Sequence, residues 1–387
     1  MLLYVHVPFC RRKCTYCAFH SVIPKAGDME RYAGLLRKEA EHWGRALKRP
    51  TVTSVYLGGG TPSLLELPML ASVVSAIRRN FALKPDLEFT MEANPDSIMD
   101  MSYLYAMREM GINRLSIGVQ SLHDNYLKTL GRPHTADQAR GVVRLARDCG
   151  FTNISVDLIW GLPKQRLYTW MKELREVVLM RPDHLSCYGL TLEPGTPLEE
   201  LSHKVDMEMA PDDDMAKMFL YGAEFLESEG YLQYEISNFA RMGYTSRHNQ
   251  GYWEGKNYLG LGPAAVSTIK HSRWENPHDL NDYAKAVDSG KLGRNREELD
   301  LRTRVREMVM LRLRTSKGLN LASYQKLAGV SFTKEFGPLV RALRQNELIR
   351  ITGGYIRLSK AGMLVSDTIL ANLFSDEPSA PHPLPSP

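Results

Sequence analysis

The 387-residue chain is 43% hydrophobic and 24% charged, enough to bury one large core and a smaller one beside it. Its net charge of +5 comes without a Lys/Arg block, so the charge balance does not call for nucleic acid. No apolar run nears the ~20 residues that cross a bilayer, and the apolar start from Met1 to Phe9 is too short for a signal peptide. The expectation is a cytoplasmic protein that meets membranes only through its partners.

In chain order, Leu2 to Val7 is the first strand candidate and runs straight into Cys10, Cys14 and Cys17. The spacing C-x3-C-x2-C lets one short loop turn three thiolates toward a common point, with no fourth cysteine nearby. A 4Fe-4S cluster takes four ligands, so three leave one iron open. A zinc site with His20 as fourth ligand is the alternative, although zinc motifs usually come as paired knuckles. Cys149 and Cys187 are single, sit among apolar residues and read as core thiols.

Strand candidates follow at Val52 to Leu57, Leu87 to Glu92, Arg114 to Gly118, Asn153 to Leu158 and Leu185 to Leu190. Between them lie amphipathic stretches at Met29 to Trp43, Leu64 to Arg79, Ile98 to Met110, Ala136 to Asp148 and Tyr168 to Met180. Repeated β-α units of this kind predict an α/β fold around a parallel sheet, either an open doubly wound sheet or a partial barrel. The unusual residues fall at the carboxyl ends of these strands, where β/α folds place their chemistry. Gly58-Gly59-Gly60-Thr61 ends the second, Glu92 closes the third, Gln120 follows the fourth, Asp157 is near the end of the fifth and Tyr188 near the end of the sixth. The glycines allow a backbone to approach a ligand closely, and equally suit a tight turn into a helix. An ionised Asp157 could accept hydrogen bonds from hydroxyls. Arg132 offers a planar cationic fork for a carboxylate.

In His248-Asn249-Gln250-Gly251-Tyr252-Trp253, a helix would set His248 and Tyr252 on one face. Imidazole is a common axial ligand of heme iron, and aromatic rings can lie on a flat porphyrin. From residue 301 the pattern changes to helices at Arg302 to Leu313, Asn320 to Leu327 and Thr333 to Arg344. A hairpin then turns at Gly353-Gly354. Three helices and a two-stranded wing suggest a winged helix. Lys334, Arg341 and Arg344 stand beside Glu335, too mixed a face to track phosphates. The tail 375–387, with five prolines, is expected to be disordered.

The cysteine loop, with Phe19 two residues after its last cysteine, resembles the radical S-adenosylmethionine (SAM) superfamily. Several further strings are similar to its coproporphyrinogen oxidase-like branch: Gly161-Leu162-Pro163, Glu193-Pro194-Gly195-Thr196, Tyr234-Glu235-Ile236-Ser237-Asn238 and Tyr258-Leu259-Gly260-Leu261-Gly262. The resemblance implies a partial (β/α)6 barrel over 1–240 and a connecting segment over 241–300. A small winged-helix-like α+β domain would follow over 301–374. It implies that Cys10, Cys14 and Cys17 hold the cluster, whose free iron takes SAM, and that Tyr4, Gly59, Gly60, Thr61, Glu92, Gln120, Arg132 and Asp157 surround that cofactor. True oxidases of the branch carry a further cysteine where this chain has Phe19, and a long segment ahead of the first strand. Those departures, with the H-N-x-x-Y-W string, resemble the sister family of HemW heme chaperones. That family implies heme bound through His248 and delivered to an acceptor hemoprotein such as a respiratory enzyme. The alternative is oxidative decarboxylation of coproporphyrinogen III.

Overall fold

The computed structural model describes residues 1–98, 100–204, 207–293 and 296–374. The tail expected to be disordered lies outside them. Six strands, β1 (Leu2–Val7), β2 (Thr51–Gly59), β3 (Ala82–Ala93), β4 (Arg114–Gln120), β5 (Ile154–Trp160) and β6 (His184–Gly189), pair in parallel in sequence order. Beyond β6 lie two short antiparallel strands, β7 (Leu232–Gln233) and β8 (Asn238–Ala240), with β8 on β6. The other edge holds a larger difference from the sequence reading. The segment read as a connection supplies four strands to the sheet: β9 (Tyr258–Leu261) pairs in parallel with β1, and β10 (Val266–Ile269), β11 (Ser272–Glu275) and β12 (Glu297–Glu298) follow antiparallel. The strands thus form one 12-stranded sheet whose outer members, β12 and β7, do not pair with each other, an incomplete barrel open on one side.

Side chains alternate across these strands. Leu3, Val5, Val55, Leu57, Phe89, Met91, Leu115, Ile117, Val156 and Leu158 join the apolar core under the helices. The intervening residues Tyr4, His6, Ser54, Tyr56, Glu88, Thr90, Glu92, Arg114, Ser116, Ser155, Asp157, His184 and Ser186 turn the other way and make a polar lumen. Cys149 and Cys187 are buried, as core thiols should be.

Local chemistry explains where the helices depart from expectation. The stretch read as one helix from Leu64 is a 3-10 turn, Pro62–Leu64, then a helix Leu67–Asn80 with Pro68 in its first turn. Pro68 has no N–H to donate, so it suits the first turn of a helix and cannot stand inside a continuous one. In the C-terminal module the expected helix Thr333 to Arg344 divides into Phe332–Glu335 and Gly337–Gln345, because Pro338 has no N–H to continue the ladder. Asn320 caps the helix Leu321–Ala328 by accepting the Ser323 N–H. The hairpin of β14 (Ile349–Thr352) and β15 (Tyr355–Leu358) turns on Gly353 and Gly354, both at positive φ, and β13 (Leu319–Asn320) pairs with β15. No helix among the described residues is long and apolar enough to cross a membrane.

One buried carboxylate ties the 258–275 extension to the first helix, Asp28–Ala46. Glu39 accepts from Gly262 N–H at 2.7 Å, Asn276 Nδ2 at 2.7 Å and Tyr283 O–H at 2.6 Å, and burial raises its pKa to about 7. Gly262 sits at φ 97 with its Cα against the His6 carbonyl, leaving no room for a Cβ. Glu39→Ala would leave three buried donors unmet. At about 1–3 kcal/mol for an unsatisfied group, it should lower unfolding free energy by at least ~2 kcal/mol in denaturant titration, whereas a change under ~0.5 kcal/mol would contradict this role.

Candidate cofactor site

The cysteine loop is fastened at both ends. Cys10 N–H donates to the Val22 carbonyl at 3.0 Å, Val22 N–H to the Pro8 carbonyl at 2.7 Å, and Thr15 N–H to the Leu130 carbonyl at 3.1 Å. All three cysteines are half-buried free thiols. Among the described residues no group of three or more His, Cys, Asp or Glu is gathered around a single point, Cys10, Cys14 and Cys17 included. The donor set suits a larger group. Thr61 Oγ1 lies 3.6 Å from Cys10 Sγ and Arg132 Nη1 lies 3.5 Å from Cys14 Sγ, so a hydroxyl and a guanidinium face thiols that bind metals as anions. Burial raises the pKa of Cys10, and that of Cys17 to about 11, in the absence of a bound cation.

The two adjacent strand ends explain the triple glycine. Gly60 N–H donates to the Val7 carbonyl at 2.8 Å and Thr61 N–H to the Phe9 carbonyl at 2.7 Å. A Cβ on Gly59, whose φ is 108, would come within 2.6 Å of the His6 ring. The turn is therefore demanded by close packing whether or not a ligand lies on it.

Above the turn, Glu92 accepts from Tyr56 O–H at 2.8 Å and Gly59 N–H at 3.1 Å. Burial, with the charge of Asp157 added, raises its pKa to about 7. Asp157 accepts from Ser116 Oγ at 3.1 Å and Ser155 Oγ at 3.2 Å, and burial raises its pKa as well. Tyr4 donates to His6 Nδ1 at 3.0 Å; His6 Nε2 gives its proton to the His20 carbonyl at 2.9 Å, so Nδ1 can only accept. Arg132 is held by the Asn94 Oδ1 and Gly118 carbonyl, both at 2.6 Å from Nη2, while its Nε has no partner. Gln120 occupies φ 64 where the β4–β5 register slips between Gly118 and Gln120. A left-handed, non-glycine residue at a bulge is the kind of strain found at functional sites. Tyr4, Gly59, Gly60, Thr61, Glu92, Gln120, Arg132 and Asp157 thus line one end of the lumen and its rim, next to the cysteine loop.

Sequence reasoning missed Asn94, which donates to Thr61 Oγ1 at 2.9 Å and accepts from Arg132, and Tyr56, which steadies Glu92. Strict period-two reading of β2 and β3 could have put Tyr56 and Glu92 on one face. Nothing local marks Asn94. It missed Arg114 too, a buried lumen cation whose Nε lacks a partner and whose charge acts on Glu92, Asp157 and His248.

His248 enters the same lumen, its ring 6.5 Å from that of Tyr4. It is 1% exposed, with Nδ1 at 2.9 Å from Ser54 Oγ on β2 and Nε2 without a partner. Glu88 holds the start of its helix, Arg247–Trp253, by accepting both the Arg247 and His248 N–H at 2.9 and 3.0 Å. The His248 ring packs at 5.1 Å from Tyr56 and 4.9 Å from Tyr252. Burial lowers its pKa to about 3. Along the open side of the barrel runs a cleft of about 900 Å³, walled by Trp160, Tyr188, Tyr252 and Trp253 and closed by the C-terminal module through residues such as Met308 and Met363.

Comparison with known proteins agrees with this architecture. A model of the radical SAM superfamily matches residues 4–175, and one of the HemN C-terminal domain matches 299–365. The chain is 31% identical to the heme chaperone HemW of Bacillus subtilis, over 95% of this chain and 97% of that one. It is 33% identical to the heme chaperone HemW of Mycobacterium tuberculosis, over 96% and 94%. Identity to a mouse mitochondrial protein named radical S-adenosyl methionine domain-containing protein 1 is 35%, over 96% and 86%. The Escherichia coli coproporphyrinogen III oxidase HemN shares the fold, with a TM-score of 0.82 at 24% identity over 95% of this chain and 88% of that one.

The strain at Gln120 gives a local test. Gln120→Gly should leave unfolding free energy unchanged or raise it by about 1 kcal/mol, while Gln120→Val should lower it by about 1–3 kcal/mol, since a β-branched residue tolerates positive φ least. Equal stability of the two variants would remove the claim of strain.

Proposed function

Because this chain belongs to the radical SAM superfamily, in the branch that holds the heme chaperones HemW, we propose that it binds a 4Fe-4S cluster, SAM and heme, and passes the heme to an acceptor hemoprotein. In this reading Cys10, Cys14 and Cys17 hold the cluster, which when bound supplies an electron and an open iron. Glu92 meets the amino group of SAM, Asp157 its ribose hydroxyls and Arg132 its carboxylate. Tyr4, Gly59, Gly60, Thr61 and Gln120 shape the same space. A neutral Glu92 would be a poor partner for an ammonium group. Binding a cation draws the carboxylate back toward its charged form and shuts water from the lumen end.

Heme is the finer part of the proposal, and the cleft carries it. Its volume lies within the ~300–1,000 Å³ typical of cofactor sites, and two rings of the H-N-x-x-Y-W string, Tyr252 and Trp253, stand in its wall. Flat aromatic walls suit a porphyrin, and Lys256, Lys270 and Arg304 line the same cleft and could meet propionates. His248 stands behind Tyr252 and offers Nε2 as the ring nitrogen left for iron. To reach the cleft, its short helix must turn outward and release Ser54. Heme loading is therefore expected to change the structure around residues 246–255.

Two outcomes test the reading. SAM affinity, measured by equilibrium dialysis with the reconstituted cluster, should rise with pH and level off above about 7, where Glu92 ionises; each unit below costs up to about tenfold. A flat profile, or one that falls, would remove Glu92 from the amino group. For heme, His248→Ala should abolish or shift the Soret band and leave the cluster spectrum intact, and heme should increase hydrogen exchange at residues 246–255. A variant that holds heme as well as the parent would move the iron ligand elsewhere.

A further inference from the structure

The amino-terminal end of the barrel, opposite the cysteine loop, holds a smaller pocket of about 370 Å³. Its origin is an interruption of the sheet. β2 and β3 pair at Val52 and Leu83 and again at Ser54 and Glu88, so one residue, Thr53, stands opposite four, Lys84 to Leu87. An excursion of that length leaves the ladder, and bulges gather near functional sites. Asn113 fixes its far end, accepting from Phe89 N–H at 2.9 Å and donating to the Leu87 carbonyl at 2.8 Å. This end of a β/α barrel ordinarily serves stability, so a ligand pocket here stands outside the cofactor chemistry.

The lining carries one sign of charge. Arg49, Arg78 and Lys84 all stand in it, and no Asp or Glu does. The chain leaves its first helix through Lys48 and Arg49, both left-handed at φ 56 and 52, and Arg49 N–H donates to the Gly44 carbonyl at 2.7 Å. Arg78 Nη2 donates to the Met110 carbonyl at 2.7 Å, beside Gly111, where a Cβ would meet that nitrogen at 2.6 Å. Arg49 and Lys84 make no ion pair among the described residues. The carboxylates closest to the lining in sequence are engaged elsewhere or stand outside it. Asp86 pairs with Arg247 at 3.0 Å, Glu88 accepts the Arg247 and His248 N–H, and Glu109 ends the helix Met101–Glu109. The rest of the wall is largely apolar, with Leu83 and Leu87 half-buried and Phe81 and Phe89 behind them in the core.

We propose that this pocket binds a small phosphate monoester whose apolar body lies against Leu83 and Leu87. Three like charges around one space repel each other, and no carboxylate of the wall offsets them. A dianion offsets them more fully than a carboxylate does, and two guanidinium forks match the oxygens of a phosphate. The apolar wall gives the ester's other half a surface to cover, which inorganic phosphate would leave wet. The volume falls near the lower end of the ~300–1,000 Å³ typical of ligand pockets, so the occupant is small. None of these residues belongs to the cofactor site or the cleft, and the proposal therefore stands apart from the reading of cluster, SAM and heme.

The test titrates the full chain with phenyl phosphate by isothermal titration calorimetry at a pH of about 7.5, where a phosphomonoester is mostly dianionic. Phenyl phosphate should bind about tenfold or more tightly than inorganic phosphate, and its affinity should fall as salt rises. The double variant Arg49→Gln with Lys84→Gln should bind it about tenfold or more weakly. Both side chains are exposed, so the unfolding midpoint without ligand should match the parent. Hydrogen exchange at residues 83–88 should slow when phenyl phosphate is added. Parent-like affinity in the double variant would overturn the proposal. So would equal affinity of the parent for inorganic phosphate and phenyl phosphate, which would reduce the pocket to a charged surface. Binding to vesicles containing phosphatidic acid without binding to phenyl phosphate would overturn it as well, because the ligand would then be a lipid surface.

Discussion

The structure depends on keeping ionisable groups inside a barrel. Glu92 and Asp157 lie in a lumen where burial opposes their charge, and the groups that steady them are spaced around the same wall: Tyr56 and Gly59 on Glu92, Ser116 and Ser155 on Asp157, with Arg114 supplying positive potential to both. Desolvated carboxylates cost free energy unless something cationic or hydrogen-bonding meets them. Burial raises the pKa of Glu92 to about 7, so a positive charge placed beside it would favour its ionised form.

That arrangement is possible because the sheet is incomplete. A closed eight-stranded barrel fills its interior with layers of side chains. Here the sheet stays open between β7 and β12, and the gap becomes the cleft that the C-terminal module covers. The module is joined to the barrel by polar contacts as well as packing: Ile236 N–H donates to the Arg314 carbonyl, Ser316 N–H to the Tyr234 carbonyl, and Lys360 pairs with Glu227 at 2.6 Å. One fold thus provides a small polar chamber at the strand ends and a larger cleft along its side, walled in part by aromatic rings. The two spaces are lined by different residues.

The helix Arg247–Trp253 joins these two spaces. One face puts His248 into the lumen against Ser54, and its end puts Tyr252 and Trp253 in the cleft wall. Glu88, a lumen carboxylate, fixes its amino end by accepting two N–H groups that a helix leaves unmet. A movement of this helix would therefore be felt on both sides of the wall.

What the sequence determined by itself is local. The strand runs β1 to β6, the cysteine loop and the Gly353-Gly354 turn follow from spacing and turn chemistry, each acting over a few residues. Strand-end placement also marked Glu92, Gln120 and Asp157 as candidates at one end of the sheet, since that position needs only the strand's direction. Tertiary structure decided what depends on distant partners. That 258–275 extends the sheet beside β1 rests on Glu39 meeting Gly262 across 223 residues, and the inward turn of His248 rests on Ser54 across 194. Asn94 and Arg114 have no local signature because their roles consist of what faces them across the lumen. A short polar segment can be read for its own geometry, but the side chain it meets is chosen by the register of strands that the sequence places far apart.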